Sequence, residues 1–129
     1  MTLNIVITGQ IRGGKNNICI TRTGRRFPNK QWAAWRAQKV KEVIAQILLT
    51  SELYAPVNVP FNTPCSVKLA YYAGDKRRRD FTAVCDSVWH VLEKAGVVTD
   101  DTLLWPVESS RGYDKENPRY EITIQPEET

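Results

Sequence analysis

The residues best suited to chemistry form a compact run of cations that ends in a carboxylate, residues 75–80 (Asp-Lys-Arg-Arg-Arg-Asp). The run lies between a predicted strand and a predicted helix, and a helix N-terminus favours anions through its free N–H groups and its dipole. Arginine can also donate two hydrogen bonds to one phosphate. The segment therefore predicts binding of nucleic-acid phosphates, and a solvated charged surface is the simpler alternative. The predicted phosphate ligands are Lys76, Arg77, Arg78 and Arg79.

Two carboxylate positions could hold a metal ion beside that phosphate. Asp80 begins the predicted helix, where it can serve as a helix cap or as a metal ligand. Asp100 and Asp101 follow the helix, and adjacent carboxylates repel each other unless a cation lies nearby, although a turn with two solvated aspartates is the alternative. If the chain packs back along the helix, the pair could return towards Asp80. Mg²⁺ needs one or two carboxylates besides water and phosphate oxygens, so Mg²⁺ is the predicted cofactor, with Mn²⁺ as a substitute.

A second basic region occupies the predicted N-terminal loops and could line a DNA groove together with the 76–79 run. Its members are Arg12, Lys15, Arg22, Arg25 and Arg26. The chain carries 18 Lys and Arg against 14 Asp and Glu, and this balance favours acidic partners such as nucleic acid.

The composition predicts one globular domain over residues 1–129, with 42% hydrophobic and 25% charged residues. Cys19, Cys65 and Cys85 are widely spaced and form no CxxC pair, so we expect buried free thiols rather than a zinc site or a disulfide framework. Free thiols suit a reducing compartment, and the sequence shows neither a signal peptide nor an apolar run long enough to span a membrane. The expected location is the cytoplasm.

Hydrophobic periodicity predicts the elements that position these residues. Strands are expected at 3–8, 65–72, 102–107 and 120–125, and residues 16–23, which contain Ile18-Cys19-Ile20, are expected to form a short strand or an extended segment. Residues 24–28 are expected to be a break, and 51–64 and 109–118 to be connections. A long helix is expected from about Asn29, with an apolar stripe that includes Ile44 and Leu48 and with Lys39 on its polar face. A second helix is expected over about 81–95, capped by Gly96. Pro106 restricts its strand to an edge or a bulge.

This pattern predicts an α+β fold, a small mixed β-sheet with two main helices packed on one face. The basic run that ends in Asp80, the segment Leu92-Glu93-Lys94-Ala95-Gly96-Val97 and the Asp100-Asp101 pair resemble the RusA-type Holliday junction resolvases. The likeness covers nearly the whole chain. It implies a RusA-like fold and a homodimeric, Mg²⁺-dependent endonuclease that cuts four-way DNA junctions.

The resemblance assigns metal-binding and catalytic roles to Asp80 and Asp101, with Asp100 beside them. The family's second aspartate and its asparagine are Thr82 and Ala83 here, and its catalytic lysine is Asp86. Because Thr82 and Asp86 share one helix face, Asp86 could replace the missing carboxylate as a metal-binding and catalytic residue. The alternative for Asp86 and for His90 on the same face is an ordinary polar surface.

Three hypotheses follow from the sequence. The first is an active nuclease for DNA recombination and repair, in which Mg²⁺ polarises the scissile phosphate and activates water. The second is a branched-DNA-binding protein on the same fold that has lost catalysis. The third is an interaction module whose basic loop contacts an acidic protein. A two-fold homodimer suits a junction, because the junction has two symmetry-related strands to cut.

Overall fold

The computed structural model of the protein describes residues 2–9, 18–20, 26–28, 30–76 and 80–127, and of residues 18–20, 26–28 and 31–32 it describes the backbone. The strands are β1 (Leu3–Thr8), β2 (Ile18–Ile20), β3 (Arg26–Pro28), β4 (Cys65–Ala73), β5 (Leu104–Tyr113) and β6 (Arg119–Pro126). The helices are α1 (Lys30–Leu53) and α2 (Phe81–Lys94), and a 3₁₀ turn covers Asp101–Leu103.

The main sheet is mixed and has four strands in the order β1-β6-β4-β5. Strand β6 pairs antiparallel with both β1 and β4, whereas β5 lies parallel to β4. Strands β2 and β3 form a separate antiparallel pair. Four strands in one mixed sheet with two helices confirm the predicted α+β class.

The core lies on one side of the sheet. Along β1, buried residues alternate with exposed ones, as expected for a strand with one covered face. The sheet contributes Leu3, Ile5, Ile7, Cys65, Val67, Leu69, Tyr120, Ile122 and Ile124 to the core, and the helices contribute Val43, Ile47, Val84, Cys85, Val88, Val91 and Leu92. Each of the buried valine, leucine and isoleucine side chains stabilises the fold by about 1.5–3 kcal/mol relative to exposure.

Helix α1 buries a narrower stripe than its sequence predicts. Ile44 and Leu48 are 40% and 60% exposed, so their predicted place in the apolar stripe is wrong. Lys39 was expected on the polar face and is only 7% exposed. Its ammonium donates to Thr8 Oγ1 at 3.1 Å and pairs with Glu42 at 3.2 Å, which compensates for its burial.

Helix α1 also protects one edge of the sheet. The Gln46 side-chain amide accepts from Val6 N–H at 2.8 Å and donates to Val6 C=O at 2.7 Å. These two bonds replace the partner strand that β1 lacks on that side and make the edge less available to another chain.

Two predicted connections contain strand residues. The predicted break at 24–28 contains β3, and the predicted connection at 109–118 is strand as far as Tyr113, because β4 supplies parallel backbone partners along that stretch. Pro106 does lie in an edge strand, next to a register shift opposite Val67 and Lys68, as predicted. Trp105 is 70% exposed on that strand, whereas Trp89 on α2 is 8% exposed.

The cysteine prediction is confirmed where the side chains are described. Cys65 and Cys85 are buried free thiols. Burial, and to a smaller extent the neighbouring Asp86 carboxylate, raises the pKa of Cys85 to about 11. A thiol so protonated is a weak nucleophile, which agrees with a packing role. Among the helices of the described segments, none is sufficiently long and apolar to traverse a membrane.

Candidate functional site

The N-terminus of α2 is capped by Asp80. Its backbone is extended (φ −75°, ψ 121°), and its carboxylate accepts from Thr82 N–H at 2.9 Å. This is the helix-cap geometry that the sequence allowed, and it stabilises a helix by about 0.5–2 kcal/mol relative to alanine. Asp80, Thr82 and Asp86 are all exposed to solvent.

The chain beyond the C-terminus of α2 is held firmly against the core. Gly96 takes a positive φ of 81°, the conformation that lets a glycine end a helix. Val97 and Val98 are then buried, and Phe61, itself 6% exposed, exchanges backbone hydrogen bonds with this turn. Phe61 N–H donates to Val97 C=O at 2.8 Å, and Thr99 N–H donates to Phe61 C=O at 3.0 Å. This anchor fixes where the following carboxylates lie.

Three carboxylates meet at that end of α2. Oxygen atoms of Glu93, Asp100 and Asp101 all lie within 4.8 Å of one another, and we call these three residues the acidic cluster. Asp101 N–H donates to Glu93 Oε2 at 3.3 Å. Asp100 accepts from the backbone N–H and the hydroxyl of Thr102, each at 2.9 Å.

The electrostatics of the acidic cluster suit a cation. Partial burial, and then the charges of Glu93 and Asp100, raise the pKa of Asp101, and His90 opposes this shift. The hydrogen bonds from Thr102 lower the pKa of Asp100 and so keep it ionised. Carboxylate oxygens are the ligand type that Mg²⁺ prefers, and a bound cation would relieve the charge repulsion that adds to burial in raising the pKa of Asp101.

The sequence-predicted carboxylates are only partly brought together. Asp100 and Asp101 lie side by side, but from Asp80 to Glu93 the chain follows helix α2, which at about 1.5 Å per residue is about 20 Å long. Within the described residues 80–127, the group close enough to share an ion contains neither Asp80 nor Asp86. Asp100 and Asp101 remain near the C-terminal end of α2, because the 3₁₀ turn at Asp101–Leu103 begins soon after the helix ends at Lys94.

Glu93 is a candidate metal ligand that was not predicted from the sequence. The available signal was its position in the last turn of α2, where the helix dipole disfavours negative charge. A carboxylate at that position, followed after a short turn by an acidic pair, suggests compensation by a bound cation.

The basic residues are described only in part. Lys76 is exposed, and its ammonium lies 5.3 Å from the centroid of the Tyr113 ring. Residues Arg77, Arg78, Arg79, Arg12, Lys15, Arg22 and Arg25, and the predicted cap Asn29, lie outside the described residues. Arg26 is the first residue of β3, and the structure describes its backbone but not its side chain. The predicted DNA groove therefore stays a prediction.

Comparison with known proteins gives one informative similarity. Over 61 residues the chain is 33% identical to the crossover junction endodeoxyribonuclease RusA of Aquifex aeolicus (strain VF5). The matched segment is 47% of this chain and 48% of that relative, so the chain spans about half the length of the curated relative it matches. No protein-family model matches the chain. The similarity supports a RusA-like relationship over this segment.

Proposed function

We propose that the protein is a Mg²⁺-dependent endodeoxyribonuclease that resolves Holliday junctions by paired nicks during DNA recombination and repair, with Mn²⁺ as a substitute metal. The observation that carries the proposal is the acidic cluster, three carboxylates whose oxygens lie within 4.8 Å of one another. The similarity to a crossover junction endodeoxyribonuclease supports the choice of substrate.

Asp101, Asp100 and Glu93 are the residues proposed to hold the ion. A bound Mg²⁺ supplies a Lewis acid for the scissile phosphodiester. Asp100 is kept ionised by Thr102, whereas Asp101 is a stronger base because its pKa is raised. Glu93 accepts the Asp101 N–H and so holds the two segments in register.

Lys76 and the three arginines that follow it are proposed to bind DNA phosphates near the N-terminus of α2. We also propose metal-binding and catalytic roles for Asp80, from the resemblance, and for Asp86, as the carboxylate that could replace the one missing at Thr82. Both are tested separately because neither belongs to the acidic cluster. A homodimer located in the cytoplasm, with two sites for the two strands of a four-way junction, completes the proposal.

A second candidate is a branched-DNA-binding protein without catalysis. The observation that favours it is the separation of Asp80 and Asp86 from the acidic cluster within one chain. On this alternative the basic segments bind the junction, and log affinity falls linearly with log salt concentration as counterions are released.

The decisive experiment compares a synthetic four-way junction with a linear duplex of the same sequence. Each is incubated with the protein in Mg²⁺, in Mn²⁺ and in EDTA, and the products are resolved on a denaturing gel. We expect symmetric paired nicks in the junction that require the metal. A junction that is shifted on a native gel but stays uncut in both metals would reject the nuclease and favour the binding protein. Equal binding of junction and duplex would reject both the junction-specific nuclease and the branched-DNA-binding protein.

A further inference from the structure

The strand β5 exposes a face that the helices leave uncovered. Side chains directly opposite each other on paired strands point to the same side of a sheet. Ser109, Arg111 and Tyr113 pair with Leu69, Tyr71 and Ala73 of β4, and Leu69 is buried in the core cluster to which both helices contribute. The β5 residues therefore point to the helix side, yet Ser109, Arg111 and Tyr113 are all exposed.

The uncovered face forms one wall of a cavity of about 770 Å³ beside the N-terminus of α2. Its other walls come from β4, from the segment after β4 and from the first turn of α2. The side chains that matter for recognition are Tyr71, Lys76, Phe81, Ser109, Arg111 and Tyr113. The volume lies within the range of about 300–1,000 Å³ that is typical of sites for small organic ligands.

The walls combine aromatic rings with positive charge. Phe81 and Tyr113 are 48% and 51% exposed, so their rings are available for stacking. Tyr71 is held in place by stacking on Tyr120, with ring centroids 4.6 Å apart. Lys76 and Arg111 carry two positive charges against the single carboxylate of Asp75, which also lines the cavity. Aromatic rings next to cations are the combination that binds unpaired nucleotides, whose bases stack while their phosphates pair with the cations.

We infer that this cavity binds an unpaired nucleobase of the DNA substrate, with the attached phosphate at Lys76 and Arg111. Tyr113 and Phe81 are the stacking residues, and Ser109, which also lines the cavity, offers a hydroxyl for hydrogen bonding. A base within a continuous duplex is paired and stacked, whereas a strand at a branch point can release one. The inference rests on the proposed function, because it takes DNA as the ligand.

The test measures binding to short single strands in EDTA, so that no cleavage takes place. The probe is a fluorescein-labelled thymidine oligonucleotide, and its partner is a strand of the same length and charge with abasic sites in place of the bases. We expect the thymidine strand to bind on the order of 10-fold more tightly, since stacking contributes at this scale for each base. Tyr113→Ala should remove most of that difference and Tyr113→Phe should keep it.

Trp105→Ala is the matched control, because Trp105 is an exposed aromatic residue of the same strand whose partner Ser66 lies on the other face. It should bind both strands as the parent does. Equal affinity for thymidine and abasic strands would overturn the inference, and so would a difference that survives Tyr113→Ala. A polyglutamate peptide that competes as well as the thymidine strand would also overturn it, in favour of an acidic protein. Metal-dependent junction cleavage is measured separately, so a result that overturns base binding in this cavity does not affect the nuclease proposal.

Discussion

The two ends of helix α2 differ in charge and in how firmly the surrounding chain is packed. At the N-terminal end, Lys76 approaches Tyr113 beside an open cavity. At the C-terminal end, the acidic cluster follows a turn that Phe61 anchors to the core. The helix dipole is positive at the N-terminal end and negative at the C-terminal end. The cation at the first end and the carboxylates at the second therefore both interact unfavourably with the dipole. Asp80 at the N-terminus and Lys94 in the last turn offset this in part.

This arrangement indicates what each end is suited to bind. A cationic surface at a positive helix end attracts an anion, and a carboxylate group at a negative helix end attracts a cation. The N-terminal end borders an open cavity. At the C-terminal end, three carboxylate oxygens lie within 4.8 Å of one another. We therefore propose that DNA is contacted at the N-terminal end of α2 and that a metal ion binds at its C-terminal end.

The largest effect is expected from removing the anchor. Phe61→Ala should lower the free energy of unfolding by about 3–5 kcal/mol, because a buried ring is lost and a cavity remains. Urea unfolding at neutral pH measures it. Phe81→Ala is the matched control at the open end, where the ring is 48% exposed, and it should cost less than about 1 kcal/mol. Similar losses for the two variants would contradict the contrast in packing.

The next effect concerns catalysis. Asp101→Asn should reduce metal-dependent junction cleavage about 100-fold, equivalent to about 2.7 kcal/mol of barrier, while DNA binding in EDTA is retained. Glu108→Gln is the control, since Glu108 is an exposed carboxylate paired with Lys68. Gel-based rates under single-turnover conditions give the comparison.

Asp80→Asn and Asp86→Asn show whether the cap and the first half of α2 also take part in the reaction. A loss as large as that of Asp101→Asn would mean that catalysis needs both ends of α2. Unchanged rates would restrict the catalytic roles to the acidic cluster.

A smaller effect is expected at the glycine that ends α2. Gly96→Ala should destabilise the fold by about 1–2 kcal/mol, because a side chain disfavours the left-handed backbone at this position. Gly96→Asn should lose less, since asparagine adopts this conformation more readily. Thermal unfolding ranks the three proteins, and an alanine variant as stable as the parent would contradict the assigned role.

The smallest effects are the pH dependences of the two neighbouring aspartates, and they have opposite signs. Because the pKa of Asp101 is raised in the folded state, stability falls as the pH rises from the ordinary value of 3.8 through the raised pKa, and metal-free Asp101→Asn should be more stable than the parent at pH 7. This advantage should vanish as the pH falls below the ordinary value of 3.8. The lowered pKa of Asp100 stabilises the fold above 3.8, and that stabilisation is lost as the pH falls through the folded-state pKa.

Asp100→Asn should therefore be less stable than the parent at pH 7. Urea titrations across the pH range in EDTA measure both signs. Adding Mg²⁺ should stabilise the parent and remove the advantage of Asp101→Asn, because an ion that binds only the folded state raises its stability. No response of the parent to Mg²⁺ would argue against a metal site at the acidic cluster.

The sequence alone determined the elements whose patterns are local. Alternation marked β1 and β4, the apolar stripe marked α2, and Gly96 marked its end, because side-chain periodicity and backbone freedom are properties of neighbouring residues. The acidic pair and the basic run were also visible, since adjacent charges need no tertiary contact to be noticed.

Only the tertiary structure decided which of these groups meet. The continuation of β5 to Tyr113 depends on backbone partners in β4, and the partnership of Glu93 with Asp101 depends on the turn that Phe61 holds. The separation of Asp80 from the acidic cluster likewise follows from the length of α2, which lies between them, not from residue types. Distances across a fold are set by packing between distant segments, and spacing along the chain does not record them.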